Sequence, residues 1–206
     1  MIRTRVFRVD PGSPQPAALG EAAGVLLKGG VVAFPTEAFY ALGAHALDPE
    51  ALGRIYAVKG RAESKPLLVL VDSARMARSL VQEIPTAAWA LMTRYWPGPL
   101  TLVFRAVEGL PGKLTAGTGT IGIRMPGHPL ALALVRAAGV PVTAPSANPS
   151  GQEPPTSAGE VRRFFDDKIE LILDGGPTKG GLPSTILDVT VTPPKLIRRG
   201  AIEFQE

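Results

Sequence analysis

Glycine and proline constrain this chain more than any other feature. Its 206 residues hold 23 Gly and 21 Pro, scattered without a repeat period or a low-complexity run. Proline fixes φ and lacks the amide donor that helix interiors and central strands need, while glycine favours turns and element ends. A chain so punctuated folds into many short elements joined by substantial loops, and such loops carry binding groups. Hydrophobic residues make up 45% and charged residues 19%, the balance of a globular protein. The length suits one domain, residues 1–206, and no interior stretch has the composition of a linker.

No apolar run approaches the roughly 18 residues of a membrane span, so no membrane partner is expected. The start, Met1-Ile2-Arg3-Thr4-Arg5-Val6-Phe7-Arg8, has neither an apolar h-region nor a small-residue cleavage site, which makes a cytoplasmic location the expectation. The absence of Cys excludes disulfides, thiolate metal sites and a Cys nucleophile. His45 reads as a surface group and His128 as a residue near a helix N-cap, so imidazole chemistry is nearly excluded too. Lys and Arg number 22 against 18 Asp and Glu, a formal charge of +4. That mild excess admits an anionic small molecule or a nucleic acid without requiring either.

Periodicity and caps place the elements. Ala17 to Lys28 is helical, stopped by Gly29-Gly30, and Val31 to Phe34 is a short buried strand. Asp48 before Pro49 opens a helix with Leu52, Ile55 and Tyr56 on one face. Leu67 to Val71 reads as a strand, and Asp72 as the cap of a helix reaching Leu80. A helix over Thr86 to Tyr95 precedes strands over Leu100 to Phe104 and Thr120 to Arg124. Helix Pro129 to Ala138, strand Val140 to Ala144 and a helix opened by the capping box Ser157/Glu160 follow. Ile169 to Leu173, Thr185 to Val189 and Lys195 to Arg198 complete the set as strands. Strand and helix alternate irregularly, which predicts an α/β fold with a mixed, twisted sheet.

Gly117 to Gly122 matches G-x-G-x-x-G, but it leads into a strand, whereas a dinucleotide fingerprint must open a helix. It reads as a flexible loop. The chemistry sits instead in polar residues at strand ends: Thr36 and Glu37, Lys59 and Arg61, Arg124, Ser146 and Asn148, Ser184, Arg198 and Arg199. Ligands bind at strand ends in open α/β sheets. The set is rich in cations and hydroxyls, which suits a polyanion. Taken singly, each Lys or Arg is most simply a solvated side chain, and Thr36 or Ser146 a turn residue. Composition and spacing stop at an α/β protein with an anion site.

The motifs together carry a resemblance. PTEAFYALGA (35–44), KGRAESKPL (59–67), YWPGPLTLVF (95–104), TIGIRMPGHP (120–129), APSANPSGQEPPT (144–156), LDGG (173–176), STILDV (184–189) and LIRRG (196–200) occur in one order. Each block alone is weak. In this order they resemble the YrdC-like family of L-threonylcarbamoyladenylate synthases, in its short form. The resemblance implies an open, twisted sheet of mixed parallel and antiparallel strands, flanked by helices around a concave basic cavity. It implies synthesis of threonylcarbamoyl-AMP and pyrophosphate from L-threonine, bicarbonate and ATP, with Mg²⁺ accompanying ATP. The product would pass to a separate transferase complex that modifies tRNA.

By motif match, Lys59, Arg61, Ser146 and Asn148 fall to the triphosphate, with Thr120 and Arg198 on the nucleotide. Thr36, Arg124 and Ser184 fall to threonine, with Tyr40 as a mobile aromatic nearby. Such chemistry needs positioning and charge neutralisation more than a nucleophile. Shielding of a labile carbamate by a closing loop suggests a role for Gly117 to Gly119. Ala38, Phe39, Ala41, Leu70, Pro154 and Arg199 depart from the commoner pattern. Ala38 leaves only backbone for a contact there, and Leu70 stands where many members carry His. Two other readings compete: a non-catalytic protein of translation that binds double-stranded RNA on the same fold, and a carbamoyl-adenylate module for another acceptor.

Overall fold

A computed structural model describes residues 2–204. Strand β1 (Arg5–Arg8) leads to helix α1 (Pro16–Leu27), and β2 (Val32–Pro35) turns into β3 (Tyr40–Gly43). Helix α2 (Pro49–Lys59), β4 (Val69–Leu70), α3 (Ala74–Arg78) and α4 (Thr86–Tyr95) follow. Next come β5 (Leu100–Arg105), α5 (Gly112–Thr115), β6 (Thr120–Arg124), α6 (Pro129–Ala138) and β7 (Val142–Thr143). The chain closes with α7 (Ala158–Phe165), β8 (Leu171–Asp174), β9 (Thr185–Asp188) and β10 (Lys195–Arg198).

The mixed α/β expectation holds, with the strands divided between two sheets. The first has the order β1-β8-β2-β3, and the second β10-β9-β5-β6-β4-β7. Parallel and antiparallel pairs occur in both. The sheets meet where β3 lies against β7. The Leu42 amide donates to the Pro145 carbonyl (2.8 Å), the Thr143 amide to Ala44 (3.0 Å) and the Ala147 amide to Tyr40 (2.8 Å). Thr143 Oγ1 accepts from the Ala44 amide and donates to the Leu42 carbonyl, inside the protein, where an unpaired group would be costly. This seam makes the two sheets nearly continuous.

Two apolar clusters hold the layers. Leu52 and Ile55 of α2 pack with Leu100, Leu102, Phe104, Ile121 and Ile123. Leu26 of α1 and Leu130, Leu134 and Val135 of α6 cover Phe34, Leu171 and Leu173. Each fully buried Leu or Ile contributes about 2 kcal/mol.

Caps explain why several helices begin where they do. Asp48 accepts from the amides of Glu50 (2.9 Å) and Ala51, Pro49 supplies a ready φ, and Gly60 (φ +57°) ends α2 in the left-handed region. That turn sets Lys59 and Arg61 on either side of a chain reversal. The capping box at Ser157 and Glu160 forms as expected. Asp72 does not cap α3. Ser73 does, its hydroxyl accepting from the Met76 amide while donating to Asp72.

Other differences have physical reasons. The apolar runs 67–71 and 140–144 form ladders of only two residues, since β4 pairs with β6 and β7 through Val69 and Leu70 alone. β1 escapes sequence reading because Arg flanks its single internal apolar pair. β3 escapes because all four of its residues are buried, which removes the alternation. Gly117 to Gly119 forms a turn, with positive φ at both glycines, that enters β6.

Candidate active site

A cavity of about 770 Å³ opens where the two sheets meet. The β2–β3 turn lines it with Thr36, Glu37 and Tyr40, β6 with Arg124, and the loop after β7 with Ser146. Ser184 and Arg198 come from β9 and β10, and Arg61 from the loop after α2. The segment Lys179-Gly180-Gly181-Leu182-Pro183 completes the wall. Among the lining residues, Arg61, Arg124, Lys179 and Arg198 face only two carboxylates, Glu37 and Glu153. An anion therefore meets an excess of positive charge.

Seven of the ten expected residues line this space: Thr36, Tyr40, Arg61, Arg124, Ser146, Ser184 and Arg198. Lys59 and Asn148 lie just behind it. The Lys59 ammonium is buried and donates to the carbonyls of Ser146 and Asn148, the latter at 2.6 Å. Burial, and then the neighbouring charge of Arg61, push its pKa down to about 8. Asn148 donates to the Pro149 and Gln152 carbonyls (3.1 and 2.6 Å) and leaves its buried Oδ1 without a partner. Both residues thus shape the Ser146 loop. Thr120 lies away from the lining, its hydroxyl shared with Thr118 at 2.9 Å.

The remaining side chains are held firmly. Arg61 donates to the carbonyls of Lys65 and Pro66. Arg198 donates to the Ser184 carbonyl (2.8 Å) and hydroxyl (3.0 Å), and that hydroxyl also shares a hydrogen bond with Thr101. Thr36 closes the β2–β3 turn by donating to the Phe39 carbonyl at 2.7 Å. Tyr40 is fully buried, with its hydroxyl donated to the Gly176 carbonyl at 2.7 Å. It forms part of the cavity wall. Burial, and then Asp174, push its phenol pKa up.

Sequence reasoning gave Glu37 no role. Its carboxylate accepts from Arg124 Nη1 at 2.9 Å and from the Gly127 amide at 2.8 Å. Burial alone would raise its pKa, but Arg124 and the amide outweigh burial and hold it below the ordinary value. The one available signal was its place in the Pro35-Thr36-Glu37 strand end. The departures also gain a physical reading. The Ala38 carbonyl accepts from Thr178 Oγ1 (2.6 Å) and the Gly180 amide (2.9 Å), so its backbone fastens the segment along the cavity. Leu70 is fully buried in core, and Leu68 is the residue of that strand region that reaches the lining. Gly117 to Gly119 does not line the cavity; the glycines that do are Gly180 and Gly181.

A family model named for Sua5, YciO and YrdC, and described as "Telomere recombination", matches residues 24–200. The chain belongs to the Sua5/YciO/YrdC family. Among its family relatives is the threonylcarbamoyl-AMP synthase of Pyrococcus abyssi, 46% identical over 185 residues, which cover 90% of this chain and 54% of that protein. The Bacillus subtilis threonylcarbamoyl-AMP synthase is 44% identical, with 96% of this chain and 57% of that protein covered. The chain thus spans a little over half the length of these curated relatives. The crystal structure of P. abyssi Sua5 complexed with L-threonine superimposes with a TM-score of 0.93 at 43% identity, covering 96% of this chain and 58% of that one. The mixed two-sheet fold is therefore that of the Sua5/YciO/YrdC family.

Proposed function

We propose that this protein is an L-threonylcarbamoyladenylate synthase, making threonylcarbamoyl-AMP and pyrophosphate from L-threonine, bicarbonate and ATP. The observation that carries the reading is the cavity at the seam, where three guanidinium groups converge with Thr36, Ser146 and Ser184. Its support from relatives is the 46% identity to a threonylcarbamoyl-AMP synthase and the likeness to a structure complexed with L-threonine.

In this reading the amine of threonine and bicarbonate condense to an N-carboxylate with loss of water. A carbamate oxygen then attacks the α-phosphorus in line, and pyrophosphate leaves. No side-chain nucleophile is required. The work of the protein is to position three reactants and neutralise charge that builds on the phosphates. Arg124 and Ser184 suit the threonine carboxylate and hydroxyl, with Thr36 and Tyr40 as the wall behind them. Arg61 suits the triphosphate, which the Ser146 loop would meet with its hydroxyl and backbone. Lys59 acts on that loop from behind, with Asn148, and its charge is near enough to add to the attraction. Arg198 and Thr120 are assigned to the nucleotide. Mg²⁺ would enter on the triphosphate as part of the substrate. Among the described residues, no group of three or more His, Asp or Glu side chains could hold an ion.

The product would serve a separate complex that transfers the threonylcarbamoyl group to tRNA, which places the enzyme in the cytoplasm. No helix among the described residues is long and apolar enough to cross a membrane. Pyrophosphate release from MgATP, with threonine and bicarbonate each omitted in turn, tests the reading. Release that needs both supports it. Release indifferent to threonine, or none, overturns it in favour of another acceptor or of a binding protein.

A further inference from the structure

We propose that Glu37 sets the charge of the amino-acid corner, so that this corner accepts a ligand with one carboxylate and discriminates against one with two. The inference rests on the proposed function, in that it assigns the corner formed by Glu37, Arg124 and Ser184 to the amino-acid substrate, with Arg198, given to the nucleotide, holding Ser184 at the border between the two.

The Arg124 side chain is only 8% exposed, and Glu37 lies 2.9 Å from its Nη1. A guanidinium carries five donors. One goes to Glu37, and Nε is buried without a partner, so the group is presented with hydrogen-bonding capacity unspent. Glu37 is fastened through both oxygens, by Arg124 and by the Gly127 amide. Both bonds hold its charge at the cavity wall. Arg198 is held on Ser184, and after burial the charge of Arg124 is what lowers its pKa, so the two guanidinium groups feel each other.

Two arginines and one fixed carboxylate leave the corner with one net positive charge. The other ionisable groups do not alter this count. Arg61 is held on a different loop, and Lys179 and Glu153 carry opposite charges that cancel in the count. His128, beside Glu37, has its pKa pushed below the usual value by burial, which leaves it neutral at pH 7.5. A monocarboxylate is matched by one charge. A dianion is left half-compensated, and desolvating the excess charge is costly. Replacing Glu37 by a neutral residue of the same shape doubles the net charge and favours the dianion.

The test measures the affinity of the full chain for L-threonine and for malonate by titration calorimetry at pH 7.5, with a non-hydrolysable ATP analogue filling the nucleotide site. Glu37→Gln is expected to raise malonate affinity relative to threonine by about tenfold, and Glu37→Asp to keep the wild-type ratio. A rise below about threefold in folded Glu37→Gln protein overturns the inference. Should that variant not fold, Arg198→Gln decides, since this exposed side chain removes charge from the same corner. The malonate preference must then fall by about threefold or more, and a smaller change overturns the inference. Pyrophosphate release by the wild type in the same preparation separates the two readings. If release needs threonine and bicarbonate yet the ratios do not move, only the charge assignment fails. If the wild type neither releases pyrophosphate nor binds threonine, the synthase reading fails, and acetate replaces threonine as the probe with one carboxylate.

Discussion

Lys59 donates from a buried ammonium to the Asn148 carbonyl 2.6 Å away, and so ties the last residue of α2 to the loop after β7. Its pKa is lowered to about 8, first by burial and then by Arg61. The sign follows directly. Between pH 8 and 10.5 the unfolded chain holds this proton and the folded chain does not, so stability contributed by this group rises with pH across that window. Below pH 8 both states are protonated, and the full cost of burying the charge remains.

Site-specific NMR of the Lys59 side chain is therefore expected to show titration near pH 8. Adding pyrophosphate should move that midpoint upward, because a bound anion favours the charged amine. A midpoint above about 10 would contradict the effect of burial, and one unmoved by pyrophosphate would contradict the placement of the phosphates beside this loop.

Arg61→Ala and Ser146→Ala should each cut pyrophosphate release by about 100-fold or more, since charge and donors at a phosphoryl centre carry most of the rate. Stability should change by less than about 1 kcal/mol, because Arg61 touches only exposed loop carbonyls and Ser146 serves the fold through its backbone. Lys59→Ala should also abolish release, but with loosening of the Ser146 loop. Urea melts beside the activity assay distinguish the two kinds of loss. Near-normal turnover in all three variants would refute the triphosphate assignment.

Thr143→Val keeps the shape at the seam while removing its hydroxyl. The Ala44 amide and the Leu42 carbonyl then lose their buried partner. The expected cost is about 2–3 kcal/mol in chemical denaturation, with faster hydrogen exchange at the Ala44 amide. An unchanged exchange rate would show that the seam does not depend on this side chain.

Gly200→Ala should be more damaging than its position near a chain end suggests. An added Cβ would meet the Pro183 carbonyl oxygen and stand 2.5 Å from the Ser184 carbonyl carbon and the Thr185 amide nitrogen. Relief requires moving the segment that presents Ser184. A loss of about 2–3 kcal/mol is expected, together with a raised KM for the amino acid, and steady-state kinetics beside a melt measure both.

The helices were legible wherever a cap announced them. Asp48-Pro49, Ser157 with Glu160, and Gly139 after Ala138 act through their own backbone neighbours, and local sequence suffices to read them. Strands were legible only as apolar runs. Ladder length depends on partners far along the chain, so Leu67 to Val71 looked longer than its two paired residues, and Tyr40 to Gly43 did not look like a strand. The division into two sheets has no local signature, because β3 and β7 meet across about a hundred residues. The site followed the same rule. Residue types at strand ends indicated an anion, but only the motif order grouped Arg124 with Ser184. Glu37 was visible as a strand-end carboxylate, but its role was not, because its partner lies 87 residues away.

The seam also decides which strand edges remain open. With β3 and β7 occupied by each other, the outermost strands are β1 and β10, each four residues long. Both carry exposed cations, Arg5 and Arg8 on one and Lys195 and Arg198 on the other. A foreign strand adding to either edge would find a short template, and another copy of this chain would bring like charge against like. The joint that shapes the cavity therefore also guards against edge-to-edge aggregation, since among the described residues it leaves open only two sheet borders, both brief and carrying exposed cations.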